Sequence, residues 1–153
     1  MLSFFEHTEP KKGVNVEVLL RKELAHTIVE YRKDGIVHVT YKSDCTITPK
    51  DCRDMAKFIV RIGITQKYNL LTEPEPGSNI DDKARSLLAS EKGNVFTLKN
   101  AILCNSIVHE MIGNFFIRMD NPTVPTKLFT DKGEAIEWLH YDASKKMVSY
   151  TSP

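Results

Sequence analysis

Val124-Pro125-Thr126-Lys127-Leu128-Phe129-Thr130-Asp131-Lys132-Gly133-Glu134-Ala135-Ile136-Glu137-Trp138-Leu139 reads as a short buried strand that turns at once into an amphipathic helix. Pro122 and Pro125 deny a helix upstream, because each lacks a backbone donor and restricts the residue before it. Thr130 or Asp131 is placed to cap the helix, and Asp131 with Glu134 has the spacing of a capping box. Ala135, Ile136, Trp138 and Leu139 then form the face that returns to a sheet. A strand followed immediately by a helix is the repeating unit of an α/β fold.

Working backwards, the same grammar recurs. Asn105 and Ser106 open a third helix with apolar residues Ile107, Val108, Met111, Ile112, Phe115 and Phe116, a set expected in the core. Ala101-Ile102-Leu103-Cys104 before it is the unbroken apolar run of a strand covered on both faces. Asp81 to Glu91 reads as a second helix with Ala84, Leu87 and Leu88 inward. Tyr68 to Thr72 is a short central strand that ends in the acidic loop Glu73-Pro74-Glu75-Pro76-Gly77-Ser78-Asn79. Thr48-Pro49-Lys50-Asp51 starts the first helix, whose inward stripe is Cys52, Met55, Ala56, Ile59 and Val60 and whose stop is Gly63. His26 to Tyr31 and Ile36 to Tyr41 flank Lys33-Asp34-Gly35, which signals a hairpin.

These elements predict a single α/β domain. Its mixed sheet of four to five strands begins with the hairpin and continues in parallel βα units, with helices packed on it. Residues 1–23 read as an edge strand, from the alternation of Val14, Val16 and Val18, or as an extended arm. Residues 24–142 form the domain and 143–153 a tail.

The 153-residue chain has 41% apolar and 27% charged residues, which suits an ordinary globular domain. Lys and Arg total 21 against 20 Asp and Glu, so nothing in the net charge favours nucleic acid as a partner. Cys45, Cys52 and Cys104 are too few and too uneven for a disulfide framework, which favours a reducing cytoplasm. No apolar run reaches membrane-spanning length, and Met1 to Phe5 lacks the basic leader of a signal peptide.

Candidate chemistry is sparse. In open α/β sheets ligands sit at the carboxyl ends of strands. That rim gathers Thr72, Glu73, Ser78, Asn79, Asn105 and Ser106, and Glu73, Ser78, Asn79, Asn105 and Ser106 form the candidate binding site. Helix capping is the simpler role for these polar residues: Ser78 or Asn79 on one helix, Asn105 or Ser106 on the next. Ser106 and His109 lie one turn apart, as a nucleophile and base would, but Glu110 projects elsewhere and no nucleophile elbow is present. His109 therefore reads as a surface histidine. His26 and His38 are placed to face each other across the hairpin as a chance pair, and no His or Cys spacing matches a metal site. No metal, cofactor or catalytic residue is expected.

Three local patterns carry a family resemblance. They are Asp82-Lys83-Ala84-Arg85-Ser86-Leu87-Leu88-Ala89-Ser90; Asn105-Ser106 through Gly113-Asn114-Phe115-Phe116; and Pro122-Thr123-Val124-Pro125-Thr126-Lys127-Leu128-Phe129 running into Ala135-Ile136-Glu137-Trp138-Leu139. With the element order, they make residues 24 to 140 resemble the STAS, or anti-sigma-factor-antagonist-like (SpoIIAA-like), superfamily. The likeness is to a branch of small, functionally uncharacterised bacterial proteins common in Bacteroidetes. It implies a non-enzymatic regulatory module that binds a protein partner or a second copy of itself. It also implies a phosphorylated serine where a central strand meets the next helix. Ser78 is the only hydroxyl between Glu73 and Asp81, in place of the usual Asp-Ser-Ser-Gly-like pattern. The alternative is a domain binding a small apolar ligand or lipid; a Ser/His hydrolase ranks behind both.

Overall fold

The computed structural model describes residues 15–64 and 66–141. Expectations for the chain before residue 15 and for the 143–153 tail lie outside the described residues. The elements are β1 (Val18–Glu23), β2 (Thr27–Arg32), β3 (Ile36–Tyr41), β4 (Thr46–Ile47), α1 (Pro49–Arg61), β5 (Tyr68–Pro74), β6 (Asn79–Ile80), α2 (Asp82–Ala89), β7 (Thr97–Leu103), α3 (Ile107–Phe115), β8 (Thr126–Phe129) and α4 (Lys132–His140).

Six strands form the main sheet in the order β1-β2-β3-β5-β7-β8. The first three are antiparallel neighbours, and β3, β5, β7 and β8 run parallel. The sheet exceeds the expected four to five strands because Val18–Glu23 pairs along the outer edge of β2. A separate two-residue parallel ladder joins β4 to β6. Two residues are too few to produce an alternation signal, so the sequence gives no warning of it.

Local chemistry sets the joints. Gly35 takes φ +83° and donates its N–H to the Arg32 carbonyl, closing the hairpin with a left-handed residue that a Cβ would strain. Thr48 and Asp51 form a reciprocal capping box with Pro49 at the first turn of α1. That helix ends in a Schellman motif: Gly63 N–H donates to Val60 and Ile64 N–H to Ile59. Asp81, Ser106 and Asp131 cap α2, α3 and α4. Asp81, and not Ser78 or Asn79, caps α2, because β6 intervenes before the helix begins.

Alternation along each strand divides the core in two. On one face Ile36, Leu71, Ala101 and Leu103 meet Ala135, Ile136 and Leu139 of α4. On the other, Val29, Val37 and Val39 meet Cys52, Met55 and Ile59 of α1 and Ala84 of α2. Ala56 and Val60, expected in the α1 stripe, are exposed. Helix α3 shares this second face, and Gly113 permits its close approach to β8: a Cβ there would come within 2.7 Å of the Leu128 side chain. Among the described residues no helix is long and apolar enough to cross a membrane.

Candidate functional site

The Glu75-Pro76-Gly77-Ser78 turn connects β5 to β6. Proline followed by glycine at φ +79° fits a type II turn, and Ser78 N–H donates to the Glu75 carbonyl at 3.1 Å. The turn brings Ser78 and Asn79 to the amino-terminal end of α3. There Pro76, Gly77, Ser78, Asn79, Asn105, Ser106, Val108 and His109 line one cleft. Four of the five residues expected to form a site thus share it.

Glu73 does not. Strand β5 runs two residues past the expected end, to Pro74, so Thr72 and Glu73 project from opposite faces. Thr72 donates its hydroxyl to Asn100 Oδ1 at 2.9 Å on the α1 side. Glu73 lies on the α4 side, where His38 Nε2 bonds its carboxylate at 2.8 Å and Lys132 lies 3.5 Å away. The His38 hydrogen bond, with Lys132, outweighs burial and holds the Glu73 carboxyl below its usual range. His38 stands opposite Glu30, not His26, in the hairpin register, and His26 instead bonds Asp51 at 2.9 Å.

His109 corrects a second expectation. It is only 6% exposed, not a surface residue. Its Nε2 lies 3.1 Å from the Ser78 carbonyl oxygen, which can only accept, so Nε2 carries the proton. Ser78 Oγ lies 3.3 Å from the same nitrogen and donates its own proton to the Glu75 carbonyl at 2.7 Å. Ser106 Oγ accepts from the His109 backbone N–H as a cap and does not meet the imidazole. In this arrangement the imidazole offers neither Ser78 nor Ser106 a basic lone pair to receive its proton, as a nucleophile would require. His109 Nδ1 is buried without a partner among the described residues. Ser78 is 4% exposed, so the hydroxyl expected to accept phosphate is closed to a kinase in this conformation.

Beneath α3 lies a cavity of about 150 Å³ between that helix, α1, α2 and the sheet. Ile112, Gly113 and Phe116 face it together with His109. A π-helical turn, Phe116–Asp120, continues α3, and the opposite side of this joint segment is open: Ile107 is 77% exposed, Met111 66%, and Val108, Phe115 and Met119 are exposed as well. The expected core helix and the turn that continues it thus bury only a narrower stripe, His109, Gly113 and Phe116 with Ile112 half-buried. Both stripes are apolar, so periodicity alone does not choose between them. Gly113, a helix-interior glycine, was the available signal, because it marks the side of closest packing.

The remaining candidates are structural. Asp81 accepts from Ala84 N–H at 2.7 Å, and Asp82 pairs with Arg85 at 3.0 Å. Among the described residues no three His, Cys, Asp or Glu side chains are grouped to hold a metal ion.

A family model described as Domain of unknown function (DUF7793) matches residues 30–141, from the second strand of the hairpin sheet through the end of α4. The chain belongs to the DUF7793 family. A crystal structure of an uncharacterized protein of the DUF3478 family from Shewanella loihica PV-4, with a SpoIIAA-like fold, is similar at a TM-score of 0.53 and 18% identity. The likeness covers 77% of this chain and 98% of that one, and it is a likeness of fold. This DUF7793 member is thus SpoIIAA-like in architecture, as the three sequence patterns imply. No curated protein matches it significantly.

Proposed function

We propose that this chain is a non-enzymatic, cytoplasmic protein-interaction module whose docking element is the outer face of α3. The observation that carries this reading is the run of exposed apolar side chains Ile107, Val108, Met111, Phe115 and Met119 on one short segment. Monomeric surfaces rarely concentrate large apolar groups in this way without a partner to cover them. The exposed charged groups beside the stripe, Glu110 and Arg118, are of opposite sign. A helix lying on an anionic membrane would carry a basic polar face instead, so a protein partner fits better. The absence of a poised nucleophile at Ser78 and Ser106 favours binding over catalysis. Three free cysteines fit a reducing compartment.

Photo-crosslinking tests this. A benzophenone side chain at Met111 is expected to capture one discrete protein species, or a second copy of the chain, in cells. The same group at Lys57, exposed on α1, should not. Adding Val108→Glu should remove the crosslink while leaving the Tm within a few degrees. Equal capture at both positions, or capture indifferent to Val108→Glu, would refute the reading.

A further inference from the structure

We infer that the cavity beneath α3 is a binding site for a small, uncharged, largely apolar molecule about the size of a single six-membered ring. This goes beyond the docking role of the outer face and rests on the other side of the helix. The cavity measures about 150 Å³. Protein interiors hold few spaces larger than a water molecule, whereas an apolar cavity of about 150 Å³ accommodates benzene. Val39, Met55, Leu70, Ile102, Ile112 and Phe116 contribute its apolar wall. Ala56 lines it and is itself exposed, so the space reaches solvent beside α1.

Several polar groups of the wall are already engaged, and His109 Nδ1, buried without a partner among the described residues, offers only an acceptor lone pair, which does not attract an anion. Thr72 bonds Asn100, Ser78 bonds the Glu75 carbonyl, and Asn94 donates to the Leu88 and Ser90 carbonyls. Arg85, the only Lys or Arg of the wall among the described residues, pairs with Asp120 and Asp82. Burial raises the pKa of both Tyr41 and Tyr68, so both remain neutral phenols. A carboxylate or phosphate entering this space would lose its water and meet no uncompensated Lys or Arg among the described residues. A neutral ring or short alkyl group would exchange water for aliphatic and aromatic contacts.

Thermal unfolding of the full chain with benzene, indole or sodium octanoate tests the assignment, alongside saturation-transfer NMR on the same samples. The neutral rings should raise the Tm by about 5–10 °C at a hundredfold excess over Kd. Octanoate should give no comparable shift. Ile102→Phe fills the cavity from the β7 side and should abolish both the shift and the NMR signal. Should that variant fail to fold, Ala56→Phe at the mouth serves the same purpose. No shift and no saturation transfer from either ring with the wild-type protein would overturn the inference. So would a preference for octanoate, or a shift retained in a folded filled variant. Crosslinking at Met111 reads the docking face separately, so the two proposals fail independently.

Discussion

Truncating one residue on each side of α3 separates a surface face from a core face. Phe116 is 5% exposed and Met111 66% exposed on the same segment. Fully burying a large apolar side chain contributes about 1.5–3 kcal/mol, so the third of Met111 that is covered accounts for about 0.5–1 kcal/mol. Alanine's better helix propensity returns a few tenths of that. Met111→Ala should therefore cost about 0.5 kcal/mol. Phe116→Ala removes a buried ring beside an existing cavity and should cost about 3–5 kcal/mol. Urea unfolding monitored by circular dichroism reads both, with unchanged m-values. In thermal terms the first should move Tm by a degree or two and the second by about 6–20 °C. A Met111→Ala cost above about 2 kcal/mol would refute the exposed-face reasoning, because only a covered side chain forfeits that much. If that cost fell on dilution, a second copy would be the cover.

Asp51→Ala should cost about 2–3 kcal/mol at pH 7, because Thr48 N–H, Thr48 Oγ1 and His26 Nδ1 all bond its Oδ2. Burial would raise the Asp51 pKa, but the His26 and Thr48 hydrogen bonds prevail and lower it. Its contribution is thus present above the unfolded value, about pH 4, and lost as pH falls through the lower folded value. The gap between wild type and variant should narrow in acid urea titrations; a pH-independent gap would contradict the charge argument. Gly77→Ala should lose about 1–2 kcal/mol in the same assay, since φ is +79° and the new Cβ would collide with the Asp44 carboxylate. Burial, reinforced by Asp51 and Asp81 at Cys52 and by Glu110 at Cys104, pushes both thiols up to about 11. Iodoacetamide at neutral pH should therefore leave both unmodified in the native protein, with Cys45 taking the first label by mass spectrometry; rapid double labelling would contradict the buried placement.

Much of the fold is legible in the sequence because its punctuation is local. Thr48-Pro49, Gly63 and Asp34-Gly35 fix helix start, helix stop and hairpin through backbone geometry that involves only neighbouring residues. The site is less legible. Glu73 left the expected cluster because one strand extended by two residues, and a period-2 element sends adjacent side chains to opposite faces. His109 reads as a surface residue because it follows the Ser106 cap, and two apolar stripes on one helix leave open which of them turns inward.

The sequence by itself determined the order of the main-sheet strands and the helices, most of their caps and turns, and the α/β class, since each follows from periodicity and intrinsic backbone preference over a few residues. Only the tertiary structure decided which stripe of α3 turns inward, that Ser78 and His109 meet across thirty-one positions, and that a cavity remains between them and α1. Those outcomes depend on how three helices and a twisted sheet share one volume, a packing constraint that no local stretch of chain encodes.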